Sequence, residues 1–427
     1  MENNQVNRRR FLQIIGAGSA AVFAMNPAGS LADSGSAANA SPGNDVETML
    51  SRQSSSPDIG SFYPTIKELS EYNSYPYSFL NDKFQTLEEF KSAGREKVLE
   101  LYGYRPGPVA PDAEVVEQIE FDDYSREKVI FSTSEYFRVP AYVHIPKGLT
   151  GRAPAIVDLH SHGGMFLYGK EKVIDMQPND QRMIDYHIVN YEGRPTTTEL
   201  VRRGYVVISI DAFMFGERRV MMDEDLSYGW DRSAYSEEDI NYLNGRCRAK
   251  ANTMVKSLIY TGMTWPGIVS WDDMRTVDYL ITRPEVDPDR IGCIGVSFGG
   301  WRSLFLAGLD ERISAACVSG FMSTVKPMLR NHIDTHSWVH FVPGLHRYLD
   351  IPDVVSMMAP KPLMVQQCRR DGLFPLEGMK ESVEKIASVY QKEGVADQFE
   401  ERFYDINHIL NVEMQDEAFD WFDHHLK

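Results

Sequence analysis

Three residues in the C-terminal half of the chain have the types that acyl transfer by a nucleophile requires: Ser297, Asp371 and His408. A serine hydroxyl attacks a carbonyl carbon when a base takes its proton. A histidine serves best as that base when a carboxylate holds its other ring nitrogen. Ser297 is centred in Gly295-Val296-Ser297-Phe298-Gly299. The two glycines have a steric reason, because a serine on a tight strand-to-helix turn is strained and side chains two residues away on either side would clash. The context agrees: Ile291 to Val296 reads as a buried strand and Phe298 to Leu309 as an apolar helix, with Gly300 permitting close packing. Asp287-Pro288-Asp289-Arg290 reads as the turn that introduces the strand.

The acid and the base lie beyond further strand-like runs. Asp371 leaves the C-terminal end of Pro362 to Gln366, and His408 follows Phe399 to Tyr404. Asp405 competes as the acid, but three residues before His408 it is badly placed to orient that ring. The plain alternative for Asp371 is a surface pair with Arg369 or Arg370. His424 and His425, next to the C-terminus, read as solvated. The oxyanion formed on attack needs two backbone N–H donors. Phe298 is expected to supply one, and the His162-Gly163-Gly164 segment the other, with Gly163, Gly164 and Met165 all open as donors. Glycines there also suit an ordinary turn.

The run Arg-Ile-Gly-Cys-Ile-Gly-Val-Ser-Phe-Gly-Gly, the upstream His-Gly-Gly, and the later Asp371 and His408 resemble the dienelactone hydrolase and acetyl xylan esterase branch of the α/β hydrolases. The resemblance covers most of the chain after the first fifth. It implies an α/β-hydrolase fold, a triad in the order Ser, Asp, His, and a carboxylic-ester hydrolase that works through an acyl-enzyme with neither cofactor nor metal. Glucuronoyl esterases carry an arginine where Phe298 stands, which argues against uronate esters. The expected substrate is a small-molecule or oligosaccharide ester, deacetylated or de-esterified outside the cytoplasm. A peptidase or lactone hydrolase on the same fold is the first alternative. A prolyl-type peptidase, however, would carry a β-propeller for which the preceding segment is too short. The second is a non-catalytic carbohydrate-binding protein, against which the intact Ser, Asp and His argue.

The elements that must position these residues follow from the apolar runs. Ala155 to Leu159 and Tyr205 to Ile210 are continuously apolar or nearly so, and they alternate with helical stretches at Thr197–Arg203 and Trp271–Leu280. Such alternation predicts a mostly parallel central sheet with helices on both faces. Before it, Thr86 to Tyr102 reads as a helix with Thr86 as N-cap and Glu89 three residues on. Glu114–Phe121, Lys128–Ser132 and Arg138–Ile145 read as antiparallel edge strands. The expected organisation is an export signal over 1–40, a flexible linker over 41–60, an N-terminal helical segment and edge strands over 61–150, and the catalytic core over 151–427. Insertions at about 165–195 and 217–270 interrupt that core.

Asn7-Arg8-Arg9-Arg10-Phe11-Leu12-Gln13 resembles the twin-arginine export motif. It precedes an apolar stretch, Ile14 to Met25, that is too short to span a bilayer, and Ala38-Asn39-Ala40 offers a cleavage site. The expected location is periplasmic or secreted, with no stable membrane anchor, since no cysteine near the cleavage site could take a lipid. Lys and Arg number 44 against 61 Asp and Glu, a net charge of -17 that repels phosphate backbones and argues against nucleic acid as a partner. Cys247, Cys293, Cys317 and Cys368 have no disulfide-scaffold spacing, and at most one bridge is expected.

Other constellations compete for roles. His332, His336 and His340 recur at a spacing of four and would line one helix face. Without an accompanying carboxylate, the expected role is a pocket wall with Trp338 and Phe341 rather than a metal site. Asp158, His160 and His162 could also hold a metal, but the oxyanion loop explains them better. Glu217 and Arg218 border the expected cleft, either touching substrate or closing a turn as a pair. The insertions carry Tyr168, Tyr186, Tyr191, Tyr228, Trp230, Tyr235, Tyr242, Tyr260 and Trp265. These rings read either as platforms for sugars or as contacts within the insertions themselves.

Overall fold

The computed structural model describes residues 57–176, 179–228 and 232–427. The export motif and residues 41–56 of the expected linker lie outside the described residues. Residues 57–60 already lead through a 3₁₀ turn, Gly60–Phe62, into a helix, Tyr63–Ser70.

Nine strands follow in chain order: β1 Glu114–Glu120, β2 Tyr124–Ser132, β3 Arg138–Pro146, β4 Ala153–Leu159, β5 Val206–Ile210, β6 Val286–Val296, β7 Ile313–Ser319, β8 Leu363–Cys368 and β9 Phe399–Tyr404. They form one sheet in the order β1-β2-β3-β5-β4-β6-β7-β8-β9. The first three pair antiparallel, β3 pairs antiparallel with β5, and all remaining pairs are parallel. The edge strand β1 is exposed along nearly its whole length and carries four glutamates and glutamines, which protect a free edge from pairing with other chains. Strands β4 and β5 are buried at every position, as apolar runs in a parallel sheet must be. Asp287 to Arg290, expected as a turn, belongs to β6. The extra residues are absorbed as a register shift, with Ala153 opposite Val286 and Ala155 opposite Ile291.

Alternate residues of the central strands face opposite layers. Ile156, Val207, Ile294, Cys317 and Met364 pack with Ala418, Phe419 and Phe422 of the C-terminal helix Val412–Leu426. Ala155, Val157, Ile208, Cys293 and Val365 belong to the larger core with Trp301 and Phe305 of the helix Phe298–Leu309. The helix Leu87–Tyr102 starts at the expected capping box, with Glu89 N donating to Thr86 Oγ1 at 3.2 Å, and it ends at Gly103 with φ +63°. All four cysteines are buried and free. No helix among the described residues is long and apolar enough to cross a membrane.

The insertions are structured. The first holds a 3₁₀ turn, Lys170–Val173, and a helix, Gln181–Tyr191; the second holds the 24-residue helix Glu237–Tyr260, opened by a Ser236–Asp239 capping box. The expected helix at Trp271 begins earlier, at Trp265, because Thr264 caps it and Pro266 occupies its first turn.

The strand order sets the position of the site. From β4 the chain crosses in one direction to β5 and later in the other to β6. The loops leaving β4 and β6 therefore face each other at the carboxyl end of the sheet, where such reversals leave a crevice.

Candidate active site

Ser297 follows β6 with φ +60° and ψ −121°, a conformation that costs a non-glycine residue about 1–3 kcal/mol. Its surroundings hold it there. A Cβ on Gly295 or Gly299 would overlap Leu159 O at the end of β4, and one on Gly300 would overlap Ser319 O at the end of β7. Ser297 N donates to Ser319 O at 3.0 Å and Trp301 N to Ser297 O at 2.9 Å. The Phe298 N–H, first in a 12-residue helix, makes no hydrogen bond among the described residues and lies at the positive end of the helix dipole.

His408 comes in on the loop after β9, and its Nδ1 lies 2.6 Å from Asp371 Oδ2. The other carboxylate oxygen accepts from Leu373 N at 2.8 Å, so both Asp371 oxygens are committed. The imidazole lies over Gly320, the residue after β7, where a Cβ would be 3.3 Å from its Cε1. Its Nε2 is shielded from solvent and has no partner among the described residues. Burial works to lower the His408 pKa, but the charge and hydrogen bond of Asp371 more than reverse this and raise it above the ordinary value. Asp405 is excluded as the orienting acid by position: its side chain is 80% exposed and 3.3 Å from Arg370. Arg369 lies over the Phe403 ring, so neither arginine takes Asp371.

The loop after β4 turns through two consecutive left-handed residues, Gly163 (φ +55°) and Gly164 (φ +65°). Gly164 N donates to His162 Nδ1 at 3.0 Å and Met165 N to His162 O at 3.2 Å. Both amides are therefore engaged, which removes Gly164 and Met165 as free donors. The His162 and Gly163 N–H groups make no hydrogen bond among the described residues. His160 is not a metal ligand in this arrangement: its Nδ1 is 3.0 Å from Ser161 O and its Nε2 accepts from Ala212 N at 3.1 Å. Asp158 accepts from the Thr196 and Thr197 hydroxyls at 2.6 and 2.7 Å, and burial pushes its pKa up to about 7.

His332, His336 and His340 do not share a helix, since only the 3₁₀ turn Trp338–His340 is helical there. Pro327 and Pro343 bracket a stretch of turns instead. The rings of His336 and His340 are nonetheless neighbours at 5.4 Å. His340 packs on Phe298 and Phe321, at 6.0 and 4.9 Å between centroids, and His336 on Phe374 at 4.9 Å. Phe374 in turn lies 6.5 Å from His408, and His162 lies 6.3 Å from the Phe298 ring. His336 Nδ1 is 2.6 Å from the His332 carbonyl, which can only accept, so Nδ1 carries the proton and Nε2 the lone pair. His162 is the reverse, with Nδ1 accepting and Nε2 left as the donor. Both of those Nε2 atoms, and both ring nitrogens of His340, are shielded and without partners among the described residues. Burial lowers all three pKa values, to about 4 for His336 and to about 3 for His162, and well below the ordinary value for His340, so the rings are neutral at pH 7.

Arg218, to which the sequence had allowed a substrate contact, has its Nη1 engaged within the fold, while its buried Nη2 has no hydrogen-bond partner among the described residues. It donates to Asp272 Oδ2 at 2.7 Å and to Asp211 O at 3.1 Å, between the rings of Phe137 and Phe213. Glu217 does not pair with it either, but with Lys170 at 2.6 Å and Lys128 at 2.9 Å. Trp338 is 47% exposed and lines an apolar surface pocket with Phe341, Trp265, Val255 and Ile259. Tyr168, Tyr186, Tyr191, Tyr235 and Trp265 are buried contacts of the insertions, which removes them as sugar platforms, whereas Tyr242 and Tyr260 are exposed. Tyr228 and Trp230 lie outside the side chains described.

Glu171, Asp211 and Glu217 form the one carboxylate cluster of metal-binding type among the described residues. Lys170 fills it with its ammonium, 3.2, 2.8 and 2.6 Å from the three in that order, and Arg232 adds a second bond to Glu171 at 2.6 Å. Beside it stands Lys172, also buried, whose Nζ donates to Ser161 O at 3.0 Å and His162 O at 2.8 Å. Sequence reasoning missed both lysines, because Lys-Glu-Lys in an insertion reads as a solvated charge run.

Residues 45–408 match the model of the Abhydrolase family. The chain is 27% identical to "Putative hydrolase YtaP" of Bacillus subtilis (strain 168) over 306 residues, 71% of this chain and 89% of that protein. Among solved structures, a "putative acetyl xylan esterase" from Bacteroides fragilis aligns with a TM-score of 0.61 at 18% identity, covering 82% of this chain and 84% of that one. A glucuronoyl esterase from Solibacter usitatus aligns with a TM-score of 0.51 at 14% identity, over 78% and 92%. The family match spans most of the chain and agrees with the nine-stranded sheet and its crevice: this protein belongs to the Abhydrolase family and has the α/β-hydrolase fold.

Proposed function

We propose that this chain is a serine carboxylic-ester hydrolase that removes short acyl groups from polar alcohols, glycans among them, outside the cytoplasm. The observation that carries the reading is the Asp371–His408 pair, with its unengaged Nε2, at the same end of the sheet as the strained Ser297. In this mechanism Ser297 Oγ attacks the ester carbonyl and His408 Nε2 takes its proton. Asp371 holds the imidazolium, and the Phe298 N–H with an amide of the β4 loop receives the oxyanion. The tetrahedral adduct collapses, the alcohol leaves with the proton from His408, and water repeats the sequence to release the acid and restore Ser297.

The polar alcohol is supported by the imidazoles around the cleft. Fixed tautomers offer a donor at His162 and an acceptor at His336, and the neutral ring of His340 offers one of each, all without partners among the described residues. A hydroxyl-bearing substrate can satisfy them, whereas a fatty chain would leave each unpaired at a cost of about 1–3 kcal/mol. The close packing of His340 between Phe298 and Phe321, with Phe374 against Phe321, supports a short acyl group. Action outside the cytoplasm rests on the twin-arginine-like motif alone.

The test is a series of nitrophenyl esters from acetyl to octanoyl, run beside acetylated oligosaccharides, with Ser297→Ala as control. Acetyl esters are expected to be preferred, acetate to be released from glycans, and Ser297→Ala to lose about four to six decades of kcat. An organophosphonate is expected to label Ser297 alone. Labelling elsewhere, or an octanoyl preference with no acetate released from any glycan, overturns the reading.

A further inference from the structure

Lys172 is a buried ammonium whose hydrogen bonds among the described residues go to neutral carbonyls. The neighbouring Lys170 takes the three carboxylates, so Lys172 has the cost of burial without an ion pair to offset it. Burial pulls its pKa down to about 7, against the charges of Glu171 and Asp211, which raise it, while Arg302 adds to the lowering. Such a group persists when it holds something in place.

What it holds is the loop after β4. In a planar trans peptide the C=O and the N–H that follows point in opposite directions. The Ser161 carbonyl shares its peptide unit with the His162 N–H, and the His162 carbonyl shares its own with the Gly163 N–H. Lys172 binds those two carbonyls, and those two N–H groups make no hydrogen bond among the described residues. From behind, Lys172 is closed in by the Phe215 ring, 4.8 Å from Nζ, and by Tyr186, whose hydroxyl is 2.5 Å from Ser161 Oγ.

We propose that Lys172 is a positioning residue for acyl transfer: it grips the Ser161 and His162 carbonyls so that the His162 and Gly163 amides stand fixed and polarised toward the oxyanion formed at Ser297. This rests on the serine-hydrolase reading above. The positive charge lies one peptide unit behind the oxyanion. It strengthens the donors through their own dipoles and costs no reorganisation during the reaction.

The test is Lys172→Met, with kcat expressed per active site titrated by an organophosphonate. Removing an oxyanion donor outright costs about 10²–10³-fold, so loosening and depolarising two is expected to lower kcat per titrated site by about 10- to 100-fold, with KM within about twofold. A purely structural lysine would lower the melting temperature and the number of titratable sites but leave kcat per site within about twofold of wild type, and that result overturns the proposal. If Ser297→Ala keeps its activity, the serine reading itself fails. If Ser297→Ala is dead and Lys172→Met is normal per site, only the role of Lys172 fails. Should Lys172→Met not fold, wild-type protein carrying ε-13C-lysine decides. The lysine that titrates lowest is expected to titrate higher once an alkyl boronic acid forms its anionic adduct on Ser297, and an unchanged titration overturns the proposal.

Discussion

Replacing Asp371 by asparagine tests the catalytic assignment most sharply, because the structure dictates which way the new amide must face. Asp371 Oδ1 accepts the Leu373 N–H at 2.8 Å while Oδ2 receives His408 Nδ1 at 2.6 Å. In Asp371→Asn the amide oxygen stays with Leu373, so the NH₂ group confronts Nδ1. Two donors cannot share a hydrogen bond, and His408 is driven to the tautomer with its proton on Nε2, where it cannot accept from Ser297. A wrong tautomer costs about 10⁴-fold in kcat, or about 5 kcal/mol. The pH profile supplies an independent readout. In the wild type His408 titrates above its ordinary value of about 6.5, so kcat/KM should fall on the acid side with a midpoint above that value. In the variant only burial remains, which lowers the pKa, so the limb should move below about 6.5. Stability follows the same linkage. A folded pKa raised above the unfolded one stabilises fully below about pH 6.5, and the gain disappears as pH rises through the folded value. Asp371→Asn should therefore destabilise more at about pH 5 than at about pH 8. The assay is kcat/KM on nitrophenyl acetate across pH, with circular dichroism to verify folding. A folded variant within about tenfold of wild type, or an acid limb that stays put, refutes the reasoning. So does a dead Asp405→Asn, since that carboxylate is exposed and paired with Arg370.

Lys170→Met should cost about 3–5 kcal/mol by stranding the buried Asp211, while Glu171 keeps Arg232, measured by urea unfolding. Burial already raises the Asp211 pKa against the charge of Lys170, and without that charge it would lie further above the unfolded value, so the variant should lose stability as pH rises, and a variant as stable as wild type refutes the cluster's role. Arg218→Ala should lower the melting temperature by exposing Asp272 to an unpaired burial, with KM within about twofold; a large KM rise at unchanged melting would restore it to the substrate site. Gly299→Ala should cost about 3 kcal/mol or more, since its Cβ overlaps a backbone oxygen rather than a movable side chain, and normal stability would contradict the elbow's packing.

The features legible in the sequence were those set by local rules. Buried parallel strands show as apolar runs, and the capping box at Thr86 is a three-residue signal; both stand in the structure close to where the residues placed them. The tight turn at Ser297 is as local, because Gly295, Gly299 and Gly300 answer to clashes within a few residues and at neighbouring strand ends. Pairings between distant segments were illegible. Arg218 meets Asp272 across 54 positions, and nothing in its own neighbourhood announces a partner. The histidine spacing misled for a related reason: periodicity predicts a helix only where the backbone is free to form one. Between Pro327 and Pro343 the chain takes turns, and the rings meet through tertiary packing instead. The aromatics of the insertions were ambiguous because a tyrosine's polar tip serves a buried hydroxyl contact, such as Tyr186 with Ser161, as well as it serves a sugar.

The buried charges favour a first insertion that stays in place as a wall over one that swings as a flap. A segment that swings open must expose its contacts, and here that would break the bonds of Lys170 to Asp211 and Glu217 and of Arg232 to Glu171. Breaking one buried pair costs about 3–5 kcal/mol, so an open state that breaks several is scarcely populated. Lys172 belongs to the same rigid turn, adjacent in sequence to Glu171, and its two hydrogen bonds carry that rigidity into the loop after β4. In the proposed mechanism, the donors of the β4 loop would thus be fixed before substrate arrives, not assembled by closure around it. The polar cluster makes no contact with the proposed reacting atoms, yet its fixed geometry is what oxyanion stabilisation without reorganisation requires.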